Sequence, residues 1–145
     1  MKPLYTAEAT AHGGRRGHVE SSDGKLSLDL SMPEGLGGAG GEGTNPEQLF
    51  ALGYSACFEN ALRRVARQQK IDVTDASITA RVHIGRHPEG GFGLAAELIG
   101  YLPNLSREEA EKLMEDAHGV CPYSRATLGN IDVQLSVKTP AEAEV

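Results

Sequence analysis

Four stretches of the chain alternate strictly between apolar and polar residues. They cover about residues 26–31, 78–84, 92–98 and 131–137. A period of two is the pattern of a β-strand that has one face towards solvent. A further strand is predicted near the N-terminus, over about 5–11. Asp23 and Gly24 predict a tight hairpin turn before the first of these alternating stretches, and 88–91 predict another turn.

A long segment that begins at Pro46 has helical periodicity instead. Its apolar residues recur at steps of four, three, four and four, at Phe50, Tyr54, Cys57, Ala61 and Val65. Proline suits the first position of a helix, and Thr44 or Asn45 supplies a capping side chain. The sequence therefore predicts one long amphipathic helix whose apolar stripe includes a cysteine.

A second helix is predicted to open at Ser106, because Ser106 and Glu109 form the capping-box pattern. Its predicted buried positions are Ala110, Leu113, Met114 and Ala117. The order of elements is then strands, long helix, two strands, second helix and last strand. This order lacks the regular alternation of a parallel doubly wound sheet. It predicts an α+β fold, with helices on one face of largely antiparallel strands.

Length and composition limit the function. The 145 residues fit a single domain over 1–145, with a short acidic tail over 139–145 that we expect to be frayed. Fourteen Lys and Arg against 20 Asp and Glu give a net charge of −6, which argues against nucleic acid as a partner. No targeting segment and no run of about 18 apolar residues is visible, so we expect a cytoplasmic protein without a membrane partner.

Two other kinds of site are disfavoured by their context. Gly38, Gly40 and Gly43 satisfy the spacing of a dinucleotide-binding loop, but the helix opens only later, at Pro46. The histidines have no paired metal-binding motif, so we predict neither a metal site nor a bound cofactor.

The two cysteines, Cys57 and Cys121, leave two interpretations open. Each can be a packed core residue, since free cysteine is among the most buried residue types. They can also form a redox pair, which requires Cα atoms about 4.4–6.8 Å apart. The residues by themselves do not decide between the two.

Several segments together resemble a known family. Residues 44–58 read TNPEQLFALGYSACF, residues 120–124 read VCPYS, and residues 129–133 read GNIDV. With GGR at 13–15 and LGGAGG at 36–41, they resemble the organic hydroperoxide resistance (Ohr) proteins of the wider Ohr/OsmC superfamily. The resemblance implies the OsmC/Ohr-like fold, with a long central helix, a second helix and an intertwined homodimer.

The resemblance also implies an activity and the residues that perform it. Ohr proteins are thiol-dependent peroxidases that reduce organic hydroperoxides, with dihydrolipoyl groups of a lipoylated protein as the expected dithiol reductant. By position, Cys57 is then the cysteine that attacks the peroxide and Cys121 the resolving cysteine. Arg15 activates the thiolate and Glu47 orients Arg15. Arg16 stands where the family often has a non-basic residue, which leaves open which arginine meets the thiolate.

Helix geometry adds an inference about Glu47. It precedes Cys57 by ten residues, which is about 15 Å along a continuous helix, so it does not lie beside the sulfur of its own chain. Either Arg15 and Glu47 reach Cys57 of the partner subunit, or Arg15 bridges a bent arrangement within one chain. Two alternative functions remain open: an OsmC-like peroxidase of broader specificity, and a non-enzymatic dimeric binder of apolar small molecules.

Overall fold

A computed structural model describes residues 1–143 of the protein. The chain groups into two compact units, Met1–Leu49 and Phe50–Val145. Each unit contains one three-stranded sheet. The single domain predicted over 1–145 stays a prediction.

The first unit is built around an antiparallel sheet in the order β1–β2–β3. The strands are β1 (Ala9–His12), β2 (His18–Ser21) and β3 (Ser27–Asp29), and short 3-10 turns occupy Gly14–Arg16 and Glu34–Leu36. The hairpin predicted at Asp23 and Gly24 is present, with the Gly24 N–H donating to the Ser21 carbonyl at 3.0 Å.

The glycine-rich run ends in a close backbone approach. Leu30 pairs with Thr44, and a Cβ on Gly43 would lie 2.6 Å from the Leu30 carbonyl carbon. Only glycine fits there. This pairing connects the end of β3 to the start of the long helix, α1 (Pro46–Gln69). Asn45 caps α1, because its Oδ1 accepts from the Gln48 N–H at 2.8 Å.

The second unit contains the rest of α1 and a sheet in the order β4–β5–β6. Strand β4 (Ser77–Arg86) is antiparallel to β5 (Phe92–Tyr101), and β6 (Val133–Lys138) runs parallel to β5. Between β5 and β6 come α2 (Arg107–Val120) and α3 (Pro122–Thr127). This helical crossover is what allows a parallel pair, because parallel neighbours cannot be joined by a hairpin.

The core of the second unit lies among α1, α2 and the sheet. Its largest fully buried apolar side chains are Tyr54, Phe58, Leu62, Leu98, Leu113 and Met114. The predicted capping box of α2 is present, and its four predicted apolar positions are buried. The α+β fold with largely antiparallel strands is confirmed. The short helix α3 was not predicted.

The tail begins with a helical turn, α4 (Pro140–Ala143), where Glu142 pairs with Arg107 at 2.7 Å. The last two residues of the tail predicted to be frayed, 144 and 145, lie outside the described residues. No helix within 1–143 is long and apolar enough to cross a membrane.

Candidate active site

The fold brings the two cysteines together. Cys57 is half-buried on α1, and Cys121 is fully buried where α2 ends. Their Sγ atoms are 3.5 Å apart, although the residues are 64 positions apart in sequence. A disulfide requires about 2.05 Å between the sulfurs, so a movement of about 1.5 Å would join them.

A break between two helices places Cys121. Its backbone is extended, with φ −66° and ψ 123°, because Pro122 disfavours helical geometry in the residue before it. The Cys121 N–H still donates to Ala117 O, and Cys121 O accepts from the Arg125 N–H, both at 2.9 Å. Cys121 is therefore the last residue tied to α2 and the first tied to α3.

The pKa of Cys57 is raised above its ordinary value. Burial is the largest cause, since it disfavours the charged thiolate. The backbone N–H of Tyr123 acts in the opposite direction, and the neighbouring thiol of Cys121 raises the pKa further. A nucleophilic cysteine at this position therefore needs an additional positive charge to become a thiolate near neutral pH.

Aromatic rings surround this part of α1. Phe50, Tyr54 and Tyr123 have ring centroids 5.8–6.3 Å apart in tilted or edge-to-face arrangements. The Tyr123 ring lies against Gly53, where a Cβ would be 2.9 Å from Tyr123 Oη. Sequence reasoning missed this role of Gly53. The available signal was a glycine in the interior of a long helix, which costs stability and so calls for a packing reason.

In the first unit, Arg15 and Glu47 form a two-pronged ion pair. Arg15 Nη1 donates to Glu47 Oε2 at 2.9 Å, and Nη2 donates to Oε1 at 2.7 Å. Arg15 lies in the short turn after Gly13, whose φ of +82° favours glycine. Arg16 is exposed, so Arg15 is the arginine that Glu47 orients.

The pair holds both groups in their charged forms. The hydrogen bond from Arg15 lowers the pKa of Glu47, against the effect of burial. The same contact raises the pKa of Arg15. The Glu47 side chain is 13% exposed and that of Arg15 32%. The ion pair fixes the position of the guanidinium. The N–H donors of Arg15 that do not bind Glu47 can then bind a thiolate or a peroxide oxygen.

The histidines of the described residues lie outside any potential metal cluster. Among residues 1–143, no three His, Cys, Asp or Glu side chains are grouped so that they could hold a metal ion. His118 Nδ1 instead lies 2.7 Å from Ser124 Oγ.

Comparison with known proteins agrees with this fold. The family model described as OsmC-like protein matches residues 38–136. An organic hydroperoxide resistance protein of Xanthomonas axonopodis pathovar citri is 54% identical over 137 residues, which are 94% of this chain and 96% of the relative.

Solved structures give the same result. An organic hydroperoxide resistance protein from Legionella pneumophila superposes with a TM-score of 0.89 at 57% identity, covering 94% of this chain and 99% of that chain. OhrB of Bacillus subtilis superposes with a TM-score of 0.87 at 47% identity, covering 94% and 100%. The chain belongs to the OsmC-like family and, within it, to the organic hydroperoxide resistance proteins.

Proposed function

We propose that the protein is a cysteine-based peroxidase that reduces organic hydroperoxides to alcohols. The observation that carries the proposal is the 3.5 Å separation between the sulfurs of Cys57 and Cys121. This is a near-attack distance for a reaction between two sulfur atoms. The names of the relatives, which refer to organic hydroperoxide resistance, support the substrate class.

The cycle has three balanced steps. The Cys57 thiolate attacks the peroxide oxygen, the O–O bond breaks, an alcohol leaves after taking a proton, and Cys57 becomes a sulfenic acid. The Cys121 thiol then attacks the sulfenic sulfur, which forms the disulfide and releases water. A dithiol reduces the disulfide by two thiol–disulfide exchanges and is itself oxidised. We propose a dihydrolipoyl group of a lipoylated protein as that dithiol.

Activation of Cys57 is assigned to Arg15, oriented by Glu47. Burial opposes the thiolate, so a nearby guanidinium has a large effect on its formation. The same donors can polarise the peroxide in the transition state. The apolar rings of Phe50 and Tyr123 favour an organic peroxide over hydrogen peroxide.

We propose that Arg15 and Glu47 serve Cys57 of a second subunit in a homodimer. Helix α1 is continuous from Pro46 to Gln69, so its rise puts about 15 Å between Glu47 and Cys57 of one chain. None of the residues 1–49 is buried in the single chain. A unit of this size without buried side chains cannot be stable alone, and a second copy of the chain would cover it.

Intact mass after addition of one equivalent of cumene hydroperoxide tests the reaction. We expect the reduced protein to lose two hydrogens, as the Cys57–Cys121 disulfide forms. Cys121→Ser should instead gain one oxygen on Cys57, and Cys57→Ser should stay unchanged.

Three outcomes would count against the proposal. Full peroxide turnover by Cys57→Ser would exclude the mechanism. Thiols of the wild-type protein that react slowly and stay unmodified after hydroperoxide is added would favour a non-enzymatic binder of apolar molecules. Rates with hydrogen peroxide equal to those with cumene hydroperoxide would point to a peroxidase of broader specificity.

A further inference from the structure

Beside the two thiols, four polar side chains form a chain of hydrogen bonds inside the second unit. His118 Nδ1 lies 2.7 Å from Ser124 Oγ, which lies 2.9 Å from Tyr54 Oη. Tyr54 Oη lies 3.1 Å from Thr127 Oγ1, and Thr127 Oγ1 donates to the Ser124 carbonyl at 3.0 Å. Tyr54, Ser124 and Thr127 are buried. We call these four residues the His118–Thr127 relay.

The direction of every bond in the relay follows from counting protons. A carbonyl only accepts, so the single hydroxyl proton of Thr127 points at Ser124 O. Tyr54 must then donate to Thr127, and Ser124 must donate to Tyr54. Ser124 Oγ has no proton left for His118, so His118 donates from Nδ1.

The relay therefore has one arrangement of protons and one tautomer of neutral His118. Removing a single donor leaves buried oxygen atoms without a partner. An unsatisfied buried polar group is costly, so the four side chains hold their positions as a unit.

The placement of the relay relative to the cysteines is regular. Tyr54 precedes Cys57 by three residues on α1, so both lie on one face of that helix. His118 precedes Cys121 by three residues and Ser124 follows it by three. The relay thus crosses the break between α2 and α3 and ties it to the helix that carries Cys57.

We propose that the His118–Thr127 relay positions the resolving cysteine. It holds the break between α2 and α3 in place, so that the Cys121 sulfur stays at attack distance from the Cys57 sulfur. The proposal rests on the proposed peroxidase function. The relay residues act through Cys121 and touch no substrate. At the break, Pro122 has no N–H to donate, so the side-chain bonds supply the constraint that a continuous helix would otherwise give.

The position of Cys121 matters because two reactions compete for the sulfenic acid of Cys57. In one, the Cys121 thiol attacks the sulfenic sulfur, the S–O bond breaks, and the thiol proton leaves with the hydroxyl group as water. In the other, a second hydroperoxide oxidises the sulfenic acid to a sulfinic acid and is reduced to a second alcohol. A correctly placed Cys121 favours the first, reversible product.

The test compares matched variants by intact mass over a series of peroxide concentrations. Thr127→Val removes the last hydroxyl with little change of shape, and Thr127→Ser keeps it. His118→Asn keeps the donor to Ser124, because Asn places an amide nitrogen near the position of Nδ1. His118→Gln loses this donor, because Gln places its amide nitrogen further from the backbone. Val137→Ala in β6 serves as a control for a general loss of core packing.

We expect His118→Gln to raise the ratio of sulfinic acid to disulfide on the order of fivefold, the effect of one lost hydrogen bond. Thr127→Val should raise it at least as much, because it loses two hydrogen bonds. Thr127→Ser, His118→Asn and Val137→Ala should keep the wild-type ratio, even where the melting temperature falls. Wild-type ratios in Thr127→Val and His118→Gln, or a rise in Val137→Ala as large as theirs, would overturn the proposal.

A second measurement separates this proposal from the proposed function. Diamide oxidises a dithiol to a disulfide without peroxide, and closure of the disulfide still depends on the position of Cys121. If the thiols of the wild-type protein do not react with hydroperoxide, the proposed peroxidase function is wrong. Closure by diamide should nevertheless be several-fold slower in Thr127→Val than in Thr127→Ser. Equal closure rates would show that the relay does not position Cys121.

Discussion

At the scale of single residues, the structure shows that the surroundings of Cys57 in the single chain disfavour its thiolate. In the single chain, burial and the Cys121 thiol raise its pKa, and the Tyr123 N–H offsets only part of this effect. We therefore propose that Cys57 depends on a cation supplied by the assembled site. We assign that cation to Arg15, whose charge is maintained by Glu47.

His118 gives a prediction about pH at the same scale. Burial lowers its pKa below the ordinary value of 6.5, so the unfolded chain binds a proton at a higher pH than the folded protein does. The free energy of unfolding should therefore fall as the pH is lowered from about 6.5 towards the pKa of the folded state.

Thermal unfolding measured between about pH 7.5 and about pH 5.5 checks this expectation. His118→Asn keeps the donor to Ser124 but does not titrate, so its melting temperature should depend less on pH than that of the wild type. The other histidines are common to both proteins and cancel in the comparison. An identical pH dependence would contradict a lowered pKa at His118.

At the scale of elements, the sequence of α1 reflects both its own helical pattern and its packing against α3. Its periodicity was sufficient to predict the helix, and Asn45, one of two candidates, is its cap. The pattern did not show that Gly53 makes room for the ring of Tyr123, because Tyr123 comes from another helix 70 residues later. Nor did the alternating stretch at 131–137 show that β6 lies parallel to β5.

Gly53→Ala tests the contact between α1 and α3. The new Cβ would lie 2.9 Å from Tyr123 Oη, so the ring must move, and we expect the Tyr123 backbone N–H to shift away from the Cys57 sulfur with it. We expect the pKa of Cys57 to rise, while the gain of about 0.5–1 kcal/mol from alanine in a helix limits any loss of stability. The pH dependence of thiolate absorbance or alkylation measures the pKa.

Gly119→Ala is the matched control for that variant. Gly119 also lies in a helix, but a Cβ there would meet no atom within 4 Å. It should gain the same helical stabilisation and leave the pKa of Cys57 unchanged. A shift of equal size in both variants would show that the Gly53–Tyr123 contact does not act on the thiol.

At the scale of the whole molecule, the site is proposed to be complete only in the homodimer. Mixed dimers test this. A heterodimer of Cys57→Ser and Arg15→Ala subunits contains one intact Cys57 and one intact Arg15 on different chains. If the residues act across the interface, one of its two sites is complete and about half of the wild-type activity should return.

The two parent homodimers provide the controls, because each lacks one of the residues in both sites. Activity of the isolated heterodimer no higher than that of the parents would show that Arg15 acts on Cys57 of its own chain.

The sequence alone was sufficient for the two long helices and the alternating strands, for the capping box of α2 and for the family resemblance, because periodicity, caps and motifs are local properties of the chain. The tertiary structure decided which distant residues meet. Cys57 and Cys121 were each compatible with plain core packing until the chain placed their sulfurs 3.5 Å apart. The tertiary structure also showed that Glu47 pairs with Arg15, and no sequence motif predicted the His118–Thr127 relay. Contacts over such separations depend on the path of the intervening chain, which no local pattern encodes.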